Sequence, residues 1–242
     1  MDLDSTEVAR QLTLLDEENY RNLKVVEFQD CAWNKPKKEE TSPNIMKSIR
    51  WFNTVSTWIK YEILIEPNLK MRTRKLMKII DIVQQLRVLN NFSGIFQIMS
   101  ALKSSCIHRL KQTFANLSRS PEHDATLKKT EEYFSNQNNY RQLRQILNNL
   151  NSTALPYLGM YLTDLTFMQE GNDVITTVEG TPRCNIQKLK LIGKTYAEIL
   201  KFQKKRYLLY PVKIIQEYIK RDRSVYDDMV LTEFSRYVEP KE

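Results

Sequence analysis

An all-helical chain is what this sequence predicts, and three observations carry the expectation. Only 5 glycines and 8 prolines interrupt its 242 residues, so backbone breakers are rare. Leu, Ile, Lys, Gln and Glu, which tolerate helices well, recur throughout. Apolar residues return at i, i+3 and i+4 over long stretches, the spacing of one helix face. The chain is 41% hydrophobic and 10% aromatic, enough for a substantial core. No internal repeat, low-complexity tract or composition break divides it, so one α-helical domain over residues 1–242 is expected.

Taken in order, Ser5 or Thr6 is expected to cap a first helix, VARQLTLLDEENYRNL, with Val8, Leu12, Leu15 and Asn19 on one side. AWNKPKKEETSP (32–43) carries charge and two prolines and reads as a loop. Ser42 then precedes Pro43 as an N-cap before a first-turn proline. Beyond it Ile45, Ile49, Phe52, Ser56, Ile59 and Ile63 form a ladder that runs until Pro67. A third helix over 69–89 turns Leu76, Ile79, Ile80, Val83 and Leu86 inward and KMRTRK outward.

Asn90 and Asn91 break and recap the backbone before FSGIFQIMSAL continues as a helix. Residues 104–120 give short, broken pieces; Pro121 opens a helix to 134, and another spans 140–150. After Pro156 comes the helix containing YLTDLTFMQEGN, stopped by Gly171 as a C-terminal cap. Its Leu158, Leu162 and Leu165 form a core stripe. Thr163, Thr166, Phe167 and Glu170 share a second face that the leucines do not need. NDVITTVEGTPR (172–183) is unsuited to helix, a long helix follows from 185 toward 205, and one more covers 211–220.

The charge balance, 37 basic against 29 acidic residues or a net +8, fits a solvated surface with a basic bias or an acidic partner. Cys31, Cys106 and Cys184 match no zinc spacing or disulfide framework, and the acidic start MDLDSTEVAR is unlike a secretory signal. The longest weakly charged run, LNNFSGIFQIMSAL, is too short to cross a bilayer. A soluble chain in a reduced, cytoplasmic setting is expected. No glycine-rich phosphate loop is present, and His108 and His123 form neither an HExxH motif nor a recognisable nucleophile pair. Bound nucleotide, metal, cofactor and covalent catalysis are therefore not expected.

Three blocks occur together: ARQLTLLDEENYRNL with CAW after it, LNNFSGIFQIMSALKSSCIHRLKQTF, and PYLGMYLTDLTFMQEGN. SPNIMKSIRWFNTVSTWI adds a fourth. In this order they resemble the catalytic domain of Ras-family guanine nucleotide exchange factors, the CDC25-homology domain of the Son-of-sevenless type. The match covers nearly the whole chain except its last thirty or so residues. It implies an all-α bowl with a projecting helical hairpin, here about 157–205, and a partner that is a Ras-subfamily GTPase, Ras or Rap. The hairpin would lever switch I from the nucleotide, while a pocket grips an aromatic residue of switch II. By position the resemblance assigns Ile49, Phe96, Tyr140 and Tyr157 to that pocket, with Arg50, Lys103 and Lys188 as further GTPase contacts.

Thr163, Thr166, Phe167 and Glu170 correspond to the hairpin face toward phosphate and magnesium. Thr166 stands where Son-of-sevenless has leucine, which implies weaker obstruction of magnesium. The segment after EGN, Asp173 and Val174 through Pro182, also departs from the family pattern. No second regulatory helical module is recognised ahead of the domain. Because such GTPases are lipid-anchored, KMRTRK and KFQKKR (201–206) also fit recruitment to the anionic inner face of a membrane. A non-catalytic scaffold of the same fold is the alternative. A nucleic-acid binder rests on net charge alone and is not expected.

Overall fold

Asp4, not Ser5 or Thr6, starts the chain's first helix: its carboxylate accepts from Glu7 N at 2.9 Å. The computed structural model describes residues 3–135, 139–171, 175–178 and 181–240. Helix α1 (Ser5–Arg21) leads into a kinked 3₁₀ segment, Val25–Asn34, and a short α2 (Lys38–Thr41) inside the expected loop. The long α3 (Pro43–Leu64), α4 (Leu69–Val88) and α5 (Phe92–Lys103) follow, then the short α6 (Ser105–His108) and α7 (Lys111–Leu117). Helices α8 (Pro121–Tyr133) and α9 (Arg141–Asn149) precede α10 (Leu158–Gly171).

Strands β1 (Ile175–Val178) and β2 (Thr181–Cys184) pair antiparallel, Ile175 opposite Cys184, and lead to α11 (Ile186–Lys201). This ribbon occupies the segment expected to resist helix. It is the only sheet among the described residues, so the all-α class stands. Helices α12 (Lys213–Lys220) and α13 (Asp228–Val238) complete the order. The last was not read from the sequence; Asp227 caps it by accepting from Met229 N and Val230 N, both at 2.9 Å.

The core is the mutual packing of α1, α3, α4 and α5. Leu12 and Leu15, Ile59 and Ile63, Leu76 and Ile80, and Ile95 and Ile98 are buried there. Each such side chain contributes on the order of 1.5–3 kcal/mol by leaving water. Helices α7 and α8 pack on α4, and α12 and α13 on α3. Two expectations change here. Ser42 does begin α3 with Pro43 in its first turn, but its hydroxyl donates to Glu27 O at 2.8 Å. The buried Glu27 carboxylate caps instead, accepting from Asn44 N at 2.8 Å and Ile45 N at 3.1 Å.

Arg72, expected outward in KMRTRK, is buried. Its fork is occupied by Thr113 Oγ1 and the carbonyls of Glu66 and Pro67, each at 2.9 Å, and by Glu239 Oε1 at 3.1 Å. A cation satisfied at every arm can sit in the core, and this one ties α4 to the chain's last helix. Asn91 caps α5 through Gly94 N at 2.9 Å, as expected, and Asn90 adopts the left-handed conformation that breaks the helices. Among the described residues no helix is long and apolar enough to cross a membrane.

Candidate functional site: an aromatic hollow at the foot of a helical hairpin

Between α1, α3, α5 and the start of α10 lies a hollow of about 140 Å³. Ile49, Trp51, Phe52, Tyr157, Leu158 and Leu162 supply most of its apolar lining, and Asp16, Asn19 and Gln97 are among its polar members. Ile49 and Phe52 belong to the apolar ladder of α3, but they are only half buried because they face this opening. Tyr157 stacks flat on Phe96, with centroids 4.2 Å apart and planes 9° off parallel. Tyr140 meets both rings edge-on, at 5.7 Å from Phe96 and 5.9 Å from Tyr157. Such pairs add about 0.5–1.5 kcal/mol each beyond their area. Burial, the first cause for each, raises the hydroxyls of Tyr157 and Tyr140 above the ordinary tyrosine value.

The four pocket residues assigned by resemblance are thus neighbours in space. One glycine permits this: a Cβ at Gly159 would lie 2.3 Å from Cζ and Oη of Tyr157. The ring occupies the volume that any side chain would need. Tyr140 is held in the left-handed region at φ 56°, next to Asn139 at φ 54°. For tyrosine this conformation costs about 1–2 kcal/mol, which its surroundings must offset.

Asp16 anchors the polar side of the hollow. Its Oδ1 accepts from Trp51 Nε1 at 2.7 Å and Gln97 Nε2 at 2.8 Å, and its Oδ2 from Asn91 Nδ2 at 2.7 Å. Burial outweighs these three donors and moves its pKa up to about 6. Neither this network nor Gly159 was read from the sequence. A glycine inside a helical stretch was the available signal for one; a carboxylate in an amphipathic helix gave none for the other.

Above the hollow, α10 and α11 pack together as the two arms joined by the ribbon, and α10 also leans on the 3₁₀ segment. Leu162 and Leu165 are buried, as their stripe required, while Thr163 and Glu170 are exposed and Phe167 is 68% exposed. Among the described residues it is the only exposed phenylalanine. Thr163 and Thr166 donate their hydroxyls to the carbonyls of Gly159 and Leu162, at 2.8 and 2.9 Å. Thr166 is half buried and lies near the Cys31 thiol, whose pKa is raised by burial first, eased down by Thr166 and raised slightly by nearby Glu170. Cys31 reaches it from a left-handed turn, Asp30 and Cys31 at φ 51° and 53°, that no residue type announced.

The other contact positions separate. Arg50 is exposed beside Ile49 and grips Glu39 through both oxygens, at 2.8 and 2.7 Å. An exposed pair is worth about 0–1 kcal/mol, so re-pairing with a partner costs little. Lys103 is exposed at the end of α5, in a polar depression with Glu131, Glu132 and Arg141 and outside the hollow. Lys188 departs from the surface role implied for it: it is buried, and its Nζ donates to Gln169 O at 3.2 Å. A cation against the final carbonyls of α10 braces the hairpin from inside. Among the described residues no group of three His, Cys, Asp or Glu side chains is placed to hold a metal ion.

Residues 7–190 match the family model described as the RasGEF domain. The chain is 34% identical over 239 residues to Ras-specific guanine nucleotide-releasing factor 2 of Mus musculus, covering 99% of this chain and 20% of that protein. It is 39% identical over 225 residues to Ras guanine nucleotide exchange factor K of Dictyostelium discoideum, covering 93% of this chain and 14% of that protein. With Ras guanine nucleotide exchange factor I of the same organism it shares 38% over 219 residues, 90% of this chain and 26% of that protein. The chain therefore spans about a quarter or less of the length of these relatives. With the family model matched across most of its length, and the blocks of that family folded around one hollow and one hairpin, the chain belongs to the RasGEF domain family.

Proposed function

We propose that the chain is a guanine nucleotide exchange factor that speeds GDP release from a Ras-subfamily GTPase, Ras or Rap. The observation that carries this reading is the outward face of α10. Phe167 and Glu170 are exposed beside Thr163 on a helix whose base frames an aromatic hollow, in a chain of this family. The hollow suits an aromatic side chain of the partner's switch II, received by Ile49 and Tyr157 and, behind them, Phe96 and Tyr140. The hairpin would wedge beside switch I. Glu170 would repel phosphate and occupy the donors that hold it, and Phe167 would cover the displaced switch.

No covalent bond is made or broken in this scheme, and no cofactor takes part. The factor binds the nucleotide-free GTPase better than the loaded form, and linkage makes the two weakenings equal. Excess cellular GTP sets the direction. Exposed Lys70, Arg74, Lys204, Lys205 and Arg206 support cytoplasmic action with recruitment to an anionic leaflet, at about 1 kcal/mol per nearby cation and less at high salt.

Release of fluorescent GDP from a panel of Ras, Rap and Ral proteins tests the proposal. At least one should release about 100-fold faster with micromolar chain; no acceleration across the panel removes it. One observation favours a second reading, a scaffold without exchange activity: Thr166 is small and half buried where Son-of-sevenless carries leucine. A scaffold would bind loaded and nucleotide-free GTPase equally.

A further inference from the structure

One charged cluster ties the turn that carries Tyr140, behind the hollow, to α10. Arg144 lies one turn beyond Tyr140 in α9, and Asp164 lies in α10 between Thr163 and Leu165. Arg144 Nη2 donates to Oδ1 and Oδ2 of Asp164 at 2.9 and 2.8 Å. Its Nε donates to Asn139 O at 2.8 Å, and Nη2 also reaches Asn139 Oδ1 at 3.1 Å. Asn139 Nδ2 closes the ring by donating to Asp164 Oδ1 at 3.2 Å. The Arg144 and Asp164 side chains retain only 27% and 12% exposure, so solvent screens them less than a surface pair.

What this ring fixes is a backbone that does not hold itself. The Asn139 carbonyl belongs to the peptide plane that leads into Tyr140, so pinning it pins the left-handed φ of 56° at Tyr140. Asparagine adopts that region readily and tyrosine does not. Once the backbone is set, the Tyr140 ring lands against Phe96 and Tyr157. The other end of the guanidinium grips the lever helix one residue from Thr163 and one turn before Phe167.

We infer that Arg144 and Asp164 are a positioning pair that couples occupancy of the aromatic hollow to the setting of the hairpin. This rests on the exchange reading. A side chain entering the hollow presses on Tyr157, which lines it, and Tyr140, edge-on against that ring from outside the lining, takes up the push. The planar fork then carries it to α10 instead of letting the 139–140 turn absorb it. Capture of the partner and placement of the wedge are then one event. The coupling element is a defined contact biased from both ends, as linkage between two sites requires.

The test uses the chain with Arg144→Leu, Asp164→Asn, their double variant and the conservative Arg144→Lys. In the protein alone, hydrogen exchange of amides 139–141 and of the first turns of α10 should quicken about 5-fold in either single variant, with α3 and α4 unchanged. Affinity for the nucleotide-free GTPase and the maximal exchange rate should each fall about 10-fold. The double variant should be no worse than the worse single one, because both remove the same contact. Arg144→Lys keeps the charge without the fork and should fall between. Unchanged protection in either single variant, or additive losses in the double, overturns the brace even when the wild type is active. A wild type that accelerates no GTPase instead overturns the exchange reading and the coupling with it, while the exchange of amides still reports whether the contact holds the turn.

Discussion

The aromatic hollow and the helical hairpin share Leu158 and Leu162, yet they are built by opposite rules. In the hollow, rings stack on rings and Asp16 draws three donors to one carboxylate, so the walls are set before any partner arrives. In the hairpin, Phe167, Ile186, Leu189 and Leu191 are all exposed, and this apolar surface stabilises nothing in the isolated chain. A preformed receptor loses little on binding, whereas an uncovered lever gains only when something covers it. Substitutions on the hairpin face should therefore change exchange and leave stability alone, whereas those in the hollow act on the packing of its walls and on capture together.

The largest separation is expected at the tip of the outward face. Phe167→Ala with Glu170→Ala removes two exposed side chains and should slow nucleotide release about 100-fold or more, near 3 kcal/mol of barrier. Exposed substitutions of this kind change stability by about 0.5 kcal/mol, so melting should move by no more than about 2 °C. If the double variant unfolds, the face belongs to the core and the contrast between the regions is lost.

Next in size is a pH effect confined to the hollow. In the unfolded chain the Asp16 carboxyl ionises near its ordinary value of 3.8, in the folded chain at about 6. Between these values the folded state holds more proton than the unfolded state, so stability falls as pH rises through the window. The full cost is about 3 kcal/mol above pH 6. Urea unfolding from pH 4 to pH 7 should show that loss, and Asp16→Asn should flatten it. A wild-type curve that rises across the window in step with the Asp16→Asn curve would mean the carboxylate is not desolvated as described.

Gly159→Ala should have a smaller and sharper effect. Alanine gains up to about 1 kcal/mol of helix propensity over glycine, but its Cβ would sit 2.3 Å from the Tyr157 ring. The ring must leave its stack on Phe96, and the two terms nearly cancel in melting. Capture of the nucleotide-free GTPase should still weaken about 10-fold, about 1.4 kcal/mol. Unchanged capture would mean that the orientation of Tyr157 is irrelevant to the hollow.

Much of this architecture was legible in the residue order. The ladder from Ile45 to Ile63, the Asn91 cap and the two stripes of α10 follow from local periodicity and cap chemistry, which sequence displays directly. What stayed hidden depends on distant partners. Arg72 looked solvated because the Glu239 and Thr113 that satisfy it lie far along the chain. Lys188 looked like a contact because its acceptor is a backbone carbonyl on the other arm of the hairpin. In the left-handed pairs Asp30–Cys31 and Asn139–Tyr140 the first residue tolerates that region but the second seldom adopts it, so composition could not place them. The hollow's aromatic members were found by resemblance; read from periodicity alone, Ile49 and Phe96 belong to an ordinary core.

The smallest predicted effect probes the joint between the two regions. Thr166 sits where the hairpin rests on the 3₁₀ segment, with its hydroxyl on Leu162 O and against the Cys31 thiol. Thr166→Leu removes the hydroxyl and its bond to Leu162 O. The Leu162 carbonyl keeps its place in the helix ladder, so the loss should stay near 1 kcal/mol. Leucine also favours helix over threonine by a few tenths of a kcal/mol. If the side chain at this position obstructs magnesium, the larger leucine should raise nucleotide release by about 3-fold, near 0.7 kcal/mol. The gain should vanish when release is measured with magnesium removed by chelation, because nothing is then left to obstruct. An increase that persists without magnesium would instead place the effect in the seating of α10 on Cys31, and Cys31→Ala should then reproduce it.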